Sequence, residues 1–196
     1  MEADRTMRQV RSVPSTFETR ADDSGMYIEG YFAVFNSNYE IFSDVTESIA
    51  PEAFDNTLGG DIKALCDHDT RLVLGRNKAG TLELRTDSHG LWGRITINPN
   101  DSDAVNLYER VKRGDVDQCS FGFEIIKEES DFRDDGSGHF TIREVKLYEV
   151  SVVTFPAYAE TSVSARKQDV AEIQKRKLDA WKATTRARLK GEDNGT

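Results

Sequence analysis

Leu147-Tyr148-Glu149-Val150-Ser151-Val152-Val153-Thr154-Phe155-Pro156 is the stretch that decides the fold. It closes a run from Phe140 to Phe155 whose branched and aromatic residues favour extended backbone, and Pro156 ends it. The run reads as a long, half-buried strand, with one feature a core strand does not tolerate cheaply. Glu149 stands among apolar neighbours, where an unpaired carboxylate costs several kcal/mol. A carboxylate holding the far nitrogen of an imidazole would be satisfied there, and would fix the tautomer of that ring. Its bland reading is an ion pair to a neighbouring strand or an edge position. Glu144 is the alternative acid, but Arg143 and Lys146 make its stretch look solvated.

Working outward, Asp117 to Lys127 reads as a second strand containing Gln118-Cys119-Ser120-Phe121-Gly122-Phe123. Successive residues of a strand face opposite sides, so Phe121 and Phe123 share one face and Ser120 and Gly122 the other. A small, glycine-flanked face lets a substrate backbone approach closely. Cys119 is the competing nucleophile, but only one of the adjacent pair can meet a base. A third strand, Ile62 to Asp67, leads into His68 within Cys66-Asp67-His68-Asp69. The bland reading of His68 is a surface histidine, or part of a weak metal site with Asp67 and Asp69, for which further ligands at a suitable spacing are not evident. His89 and His139 fall in polar stretches and read as solvated. Histidine, serine and carboxylate together make acyl transfer possible: His68 takes the proton of Ser120, Ser120 attacks a carbonyl, and an acid orients the base.

The rest of the chain supplies more strands. Two runs from Phe17 to Phe35 flank a turn-forming cluster at residues 21–25, and Thr81 to Thr86 and Leu91 to Ile97 flank Asp87-Ser88-His89-Gly90 as a hairpin. Pro51-Glu52-Ala53-Phe54 starts a short helix. Asp101-Ser102-Asp103 caps another that runs to Arg113 and stops at Gly114. Many strands with two short helices suggest a β-barrel or closed sheet decorated by helices. Beyond Ser162 the chain turns rich in Lys, Arg, Ala, Glu and Gln and reads as a mostly solvated helix.

The 196 residues carry a net charge of −9 and a pI near 4.9, which argues against a dedicated nucleic-acid binder. Cys66 and Cys119 form no disulfide framework or metal motif and imply free thiols in a reducing compartment. No run is long enough to span a membrane, and no metal or organic cofactor is called for. Residues 1–14 read as a flexible arm, 15–162 as one domain and 163–196 as a polar helical or disordered tail.

An ordered set of segments carries a family resemblance: Gly30-Tyr31-Phe32-Ala33-Val34-Phe35, Ile49-Ala50-Pro51-Glu52-Ala53-Phe54, Leu65-Cys66-Asp67-His68-Asp69, Leu74-Gly75, Gly90-Leu91-Trp92, Ser120-Phe121-Gly122-Phe123, and Glu149 through Tyr158. Together they resemble the prohead serine proteases of tailed bacteriophages, over roughly residues 15–162. The resemblance implies a mainly β fold with flanking helices, a closed or nearly closed β-barrel of the herpesvirus assemblin type. It implies a serine endopeptidase of capsid maturation, enclosed in the prohead in the bacterial host cytoplasm. Its substrates would be the scaffolding region of the major capsid protein and the protease itself. Carried over, Ser120 is the nucleophile and His68 the base. The third member, a histidine in assemblins, falls on Glu149 rather than Glu144. Assemblins build the oxyanion hole from a glycine-arginine-arginine segment. Here Phe155-Pro156-Ala157-Tyr158 stands in its place, with no arginine, and the Ala157 N–H is the candidate donor, since Pro156 has none. The tail becomes a tether to scaffold or shell, or a site of self-cleavage. Assemblins work as dimers, which makes a homodimer one option here while the residues leave the oligomeric state open. The alternatives are a non-enzymatic assembly protein sharing the barrel and a cysteine hydrolase using Cys119.

Overall fold

The computed structural model describes residues 9–14, 17–22, 25–133, 135, 137–155 and 160–192. The strands are β1 (Gln9–Pro14), β2 (Glu18–Asp22), β3 (Gly25–Val34), β4 (Tyr39–Phe42), β5 (Val45–Ile49), β6 (Lys63–Cys66), β7 (Asp69–Arg76), β8 (Leu82–Thr86), β9 (Gly90–Ile97), β10 (Gln118–Phe132) and β11 (Gly138–Val153). Two α-helices, α1 (Ser102–Arg113) and α2 (Glu160–Glu192), and two 3-10 turns, at Pro51–Phe54 and Asn77–Ala79, complete the described architecture.

The strands form two sheets, and among the described residues neither closes into a barrel. This corrects the expected closed sheet while leaving a mainly β fold with helices. A seven-stranded sheet runs β1-β10-β11-β5-β4, with β6 beside β11 and β7 beside β6; a four-stranded antiparallel sheet runs β2-β3-β9-β8. Closure is replaced by a shared spine. β5 lies parallel to the first part of β11, Gly138 to Ile142, and β6 lies parallel to its last part, Glu149 to Val152. The last six residues of the expected N-terminal arm are strand β1, paired with β10 from Gln9↔Phe123 to Pro14↔Gln118. Helix α2 starts at Glu160, inside the span read as the domain.

The two sheets bury one core between them. Ile28 and Phe32 of β3, Leu91 and Ile95 of β9, Cys119, Phe121 and Phe123 of β10, and Val150 and Val152 of β11 are each fully buried there. Phe121 stacks on Phe123 at 4.8 Å and meets the edge of Phe54 at 5.8 Å. Helix α1 adds Ala104, Leu107, Tyr108 and Val111 to this core. The Asp101 carboxylate accepts from the N–H groups of Asp103 and Ala104, and Gly114 closes the helix at φ 84°, a left-handed value that glycine adopts without a Cβ penalty. Val170 of α2 packs in a satellite cluster with Val45, Phe132 and Phe140, while Leu178 and Trp181 are exposed.

One irregularity positions the site. β10 and β11 pair Gly122↔Glu149 and then Phe123↔Leu147, leaving Tyr148 as an extra residue on β11. Such a β-bulge reverses which residues face the core. Val145 and Leu147 point into the core before it, Val150 and Val152 after it. Glu149 and Ser151 are thereby turned to the opposite face, beside Gly122 and Ser120 of β10.

Candidate active site

The expected site residues come from two adjacent strands and the turn that follows a third. Ser120 of β10 pairs with Ser151 of β11, and Glu149 of β11 pairs with Gly122 of β10 and with Lys63 of β6. His68 sits in the two-residue turn joining β6 to β7, where Cys66 pairs with Asp69. The turn brings its imidazole back over β11: His68 Nδ1 lies 2.7 Å from Glu149 Oε1. Glu149 is 2% exposed. The anomaly in the decisive stretch is resolved as a buried carboxylate held by an imidazole, while Glu144 accepts from Asn56 Nδ2 at 3.1 Å and makes no bond to His68.

The second carboxylate oxygen, Oε2, accepts from the Ser151 hydroxyl at 2.6 Å. Ser151 is fully buried. The sequence reading passed over it because a serine between valines looks like strand filler. Its position two residues from Glu149, on the same face, was the available signal. With Nδ1–H directed at Glu149, the lone pair of the neutral ring resides on Nε2. That Nε2 atom is buried and has no hydrogen-bond partner among the described residues. A buried polar atom without a partner carries a desolvation cost, and marks where a proton donor is wanted.

Ser120 does not supply that partner in this conformation. Its hydroxyl is fully buried and donates instead to the Arg11 carbonyl of β1 at 2.9 Å. β1 is itself pinned, because the Arg11 guanidinium makes a two-pronged ion pair with the buried Glu47, Nε to Oε1 at 2.6 Å and Nη2 to Oε2 at 3.0 Å. Ser120 and Glu149 thus share one face of the β10–β11 ladder, His68 reaches Glu149 from the adjoining turn, and the Ser120 hydroxyl is engaged by the neighbouring strand.

The competing nucleophile lies on the other face. Cys119 is fully buried in the core, and its thiol donates to the Tyr31 carbonyl at 3.2 Å. Cys66 is half-buried, and burial, reinforced by the Asp67 carboxylate, pushes its thiol up to about 11. His139, expected in a solvated turn, is on β11, and both of its ring nitrogens are engaged, Nδ1 with Thr46 Oγ1 and Nε2 with Ser48 Oγ, each at 2.8 Å. His89 packs edge-on against Tyr31 at 4.4 Å. Ala157, the expected oxyanion donor, lies outside the described residues. Among the described residues no three His, Cys, Asp or Glu side chains are grouped to hold a metal ion, and no helix is long and apolar enough to cross a membrane.

A buried carboxylate held by an imidazole, on a strand paired with one that carries a buried serine, contains the residue types that a serine hydrolase uses. The chain belongs to the caudovirus prohead serine protease family, whose model matches residues 15–176. It is similar to the prohead protease of Enterobacteria phage HK97, with 32% identity over 143 residues, and that match takes in 71% of this chain and 59% of the relative. The fold is also that of the bacteriophage T4 capsid assembly protease, at a TM-score of 0.50 and 11% identity, over 75% of this chain and 97% of that one.

Proposed function

We propose that this protein is a serine endopeptidase that matures phage capsids, with Ser120 as nucleophile, His68 as general base and Glu149 as the acid that orients the base. The observation that carries this reading is the His68–Glu149 contact of 2.7 Å, with the other ring nitrogen buried and without a partner among the described residues, and with Glu149 and Ser120 on paired strands. In this mechanism Nε2 takes the Ser120 proton as Oγ attacks the scissile carbonyl carbon. The tetrahedral intermediate places its negative oxygen at the Ala157 N–H. Collapse breaks the C–N bond, and His68 returns the proton to the leaving amine. Water, deprotonated by the same nitrogen, then hydrolyses the acyl-enzyme. Glu149, screened from water, stabilises the imidazolium formed in each half, where a low local dielectric strengthens the attraction.

For the hydroxyl to enter this cycle, its bond to the Arg11 carbonyl has to break. That same bond supports the second reading, a non-enzymatic assembly protein that keeps the fold with an idle serine. The substrates in the first reading are the scaffolding region of the major capsid protein and the chain itself, cut within the assembling prohead. An assemblin-type relationship and a homodimer belong to this reading as well. Co-expression with the capsid protein, followed by intact mass, separates the two. Ser120→Ala should leave both proteins at full length under the first reading. Normal processing in that variant would overturn it.

A further inference from the structure

Asp67 precedes the proposed base and makes more contacts to the end of β11 and the residue that follows it than a turn residue needs. Asp67 and His68 both have left-handed backbone, at φ 49° and 60°. Two successive positive φ values define the tight hairpin turn that suits twisted strands. Non-glycine residues adopt it at a cost, and Asp and His are among those that tolerate it best. The turn is tied to its neighbour by three bonds from this one residue. The Asp67 N–H donates to the Val152 carbonyl at 3.0 Å. The carboxylate accepts from the Thr154 N–H at 2.7 Å through Oδ1 and from the Thr154 hydroxyl at 3.1 Å through Oδ2. Val152 and Thr154 lie just beyond Glu149 on the same stretch of chain. The clamp therefore joins the turn that carries the imidazole to the strand that carries its carboxylate. It also holds the backbone at Thr154, from which the chain runs through Phe155 and Pro156 to Ala157.

We propose that Asp67 is a positioning residue for the base: its carboxylate locks the His68 turn to the end of β11 so that Nδ1 stays on Glu149 and Nε2 faces Ser120. The inference rests on the protease reading for its consequence in turnover, but its geometric part can be read without turnover.

Three substitutions separate the clamp from the turn. Asp67→Asn keeps both the tolerance for positive φ and an oxygen for the Thr154 N–H. Asp67→Gly relaxes the backbone but deletes the clamp, so folding is not put at risk by strain. Thr154→Val removes the hydroxyl alone. With a peptide spanning a capsid-protein cleavage site, Asp67→Gly should lower kcat by about 10–100-fold, the size of effect a misplacement near 1 Å produces, with KM little changed. Asp67→Asn should stay within about threefold of the parent, and Thr154→Val should fall between them on the same argument. In parallel, nitrogen-15 imidazole spectra, assigned with His68→Gln, should show the downfield Nδ1 proton of His68 in the parent and Asp67→Asn, and lose it in Asp67→Gly. A glycine variant that keeps both that proton and the parent kcat overturns the proposal. A parent chain that shows the proton but cleaves nothing overturns the protease reading and leaves the positioning role standing.

Discussion

The two ends of β11 make a natural experiment. Each is flanked by a parallel strand, β5 at one end and β6 at the other, and each holds a histidine beside hydroxyl side chains. At the first end both nitrogens of His139 are occupied by Thr46 and Ser48. That ring is a satisfied structural link. At the second end His68 has one nitrogen on a buried carboxylate and the other without a partner among the described residues. On the proposed mechanism, only the second arrangement suits a base. The difference lies in a charge on one side of the ring and an open lone pair on the other.

The largest expected contrast is between the two histidines. His68→Ala should reduce capsid-protein cleavage on the order of 10^5–10^6-fold, as loss of a triad base does. His139→Ala should leave cleavage rates near the parent value and cost about 1–2 kcal/mol in denaturant unfolding, since the buried hydroxyl of Ser48 is left without a partner. Equal rate losses in the two variants would erase the distinction. Next come the acids. Glu149→Gln preserves shape but removes the charge, and should lower kcat by about 10^4-fold. Glu144→Gln, whose parent side chain accepts from Asn56, should not change it. A reversal in the same assay would move the third member to Glu144.

Ser151→Ala sharpens the comparison further. It removes one hydrogen bond to the buried carboxylate, and a loss near 1.4 kcal/mol corresponds to about a tenfold fall in kcat. Ser48→Ala, its counterpart at the other end, should have none. The smallest effect belongs to the thiols. With the Cys66 thiol pushed up to about 11, it stays protonated at pH 8, and alkylation followed by mass should be slow there and faster as pH approaches 11. Cys119→Ser should cleave at the parent rate. Inactivation by that change, with Ser120→Ala harmless, would favour the thiol.

Much of this arrangement was legible in the residues, for identifiable reasons. The hairpin of β8 and β9 was signalled by its turn-forming residues, and α1 by Asp101 and Gly114 at its ends. Glu149 stood out because charge in an apolar run has to be answered. The strands β1, β4, β5 and β7 were not seen. They are short or carry polar residues, and tertiary pairing rather than local preference makes them extended. The turn at Asp67 and His68 contains no glycine, so its left-handed backbone gave no sign. Reading His139 as solvated failed because β11 begins at Gly138 and β5 pairs with it there. The expected barrel failed because strand patterns do not reveal which edges meet. Here two strands share the flank of β11 instead of closing a ring. The bulge at Tyr148 was visible only as a change of parity, with Val145 and Leu147 buried before it and Val150 and Val152 after it. That one extra residue brings Glu149 and Ser120 to the same face.

The most direct test treats a preparation that is actively cutting its capsid protein with a serine-directed phosphonate and maps the adduct by peptide mass. The account predicts that cleavage stops as one adduct accumulates on Ser120, and that His68→Ala and Glu149→Gln take it up far more slowly. Continued cleavage with Ser120 unmodified, or an adduct on another residue that accounts for the inhibition, would contradict it.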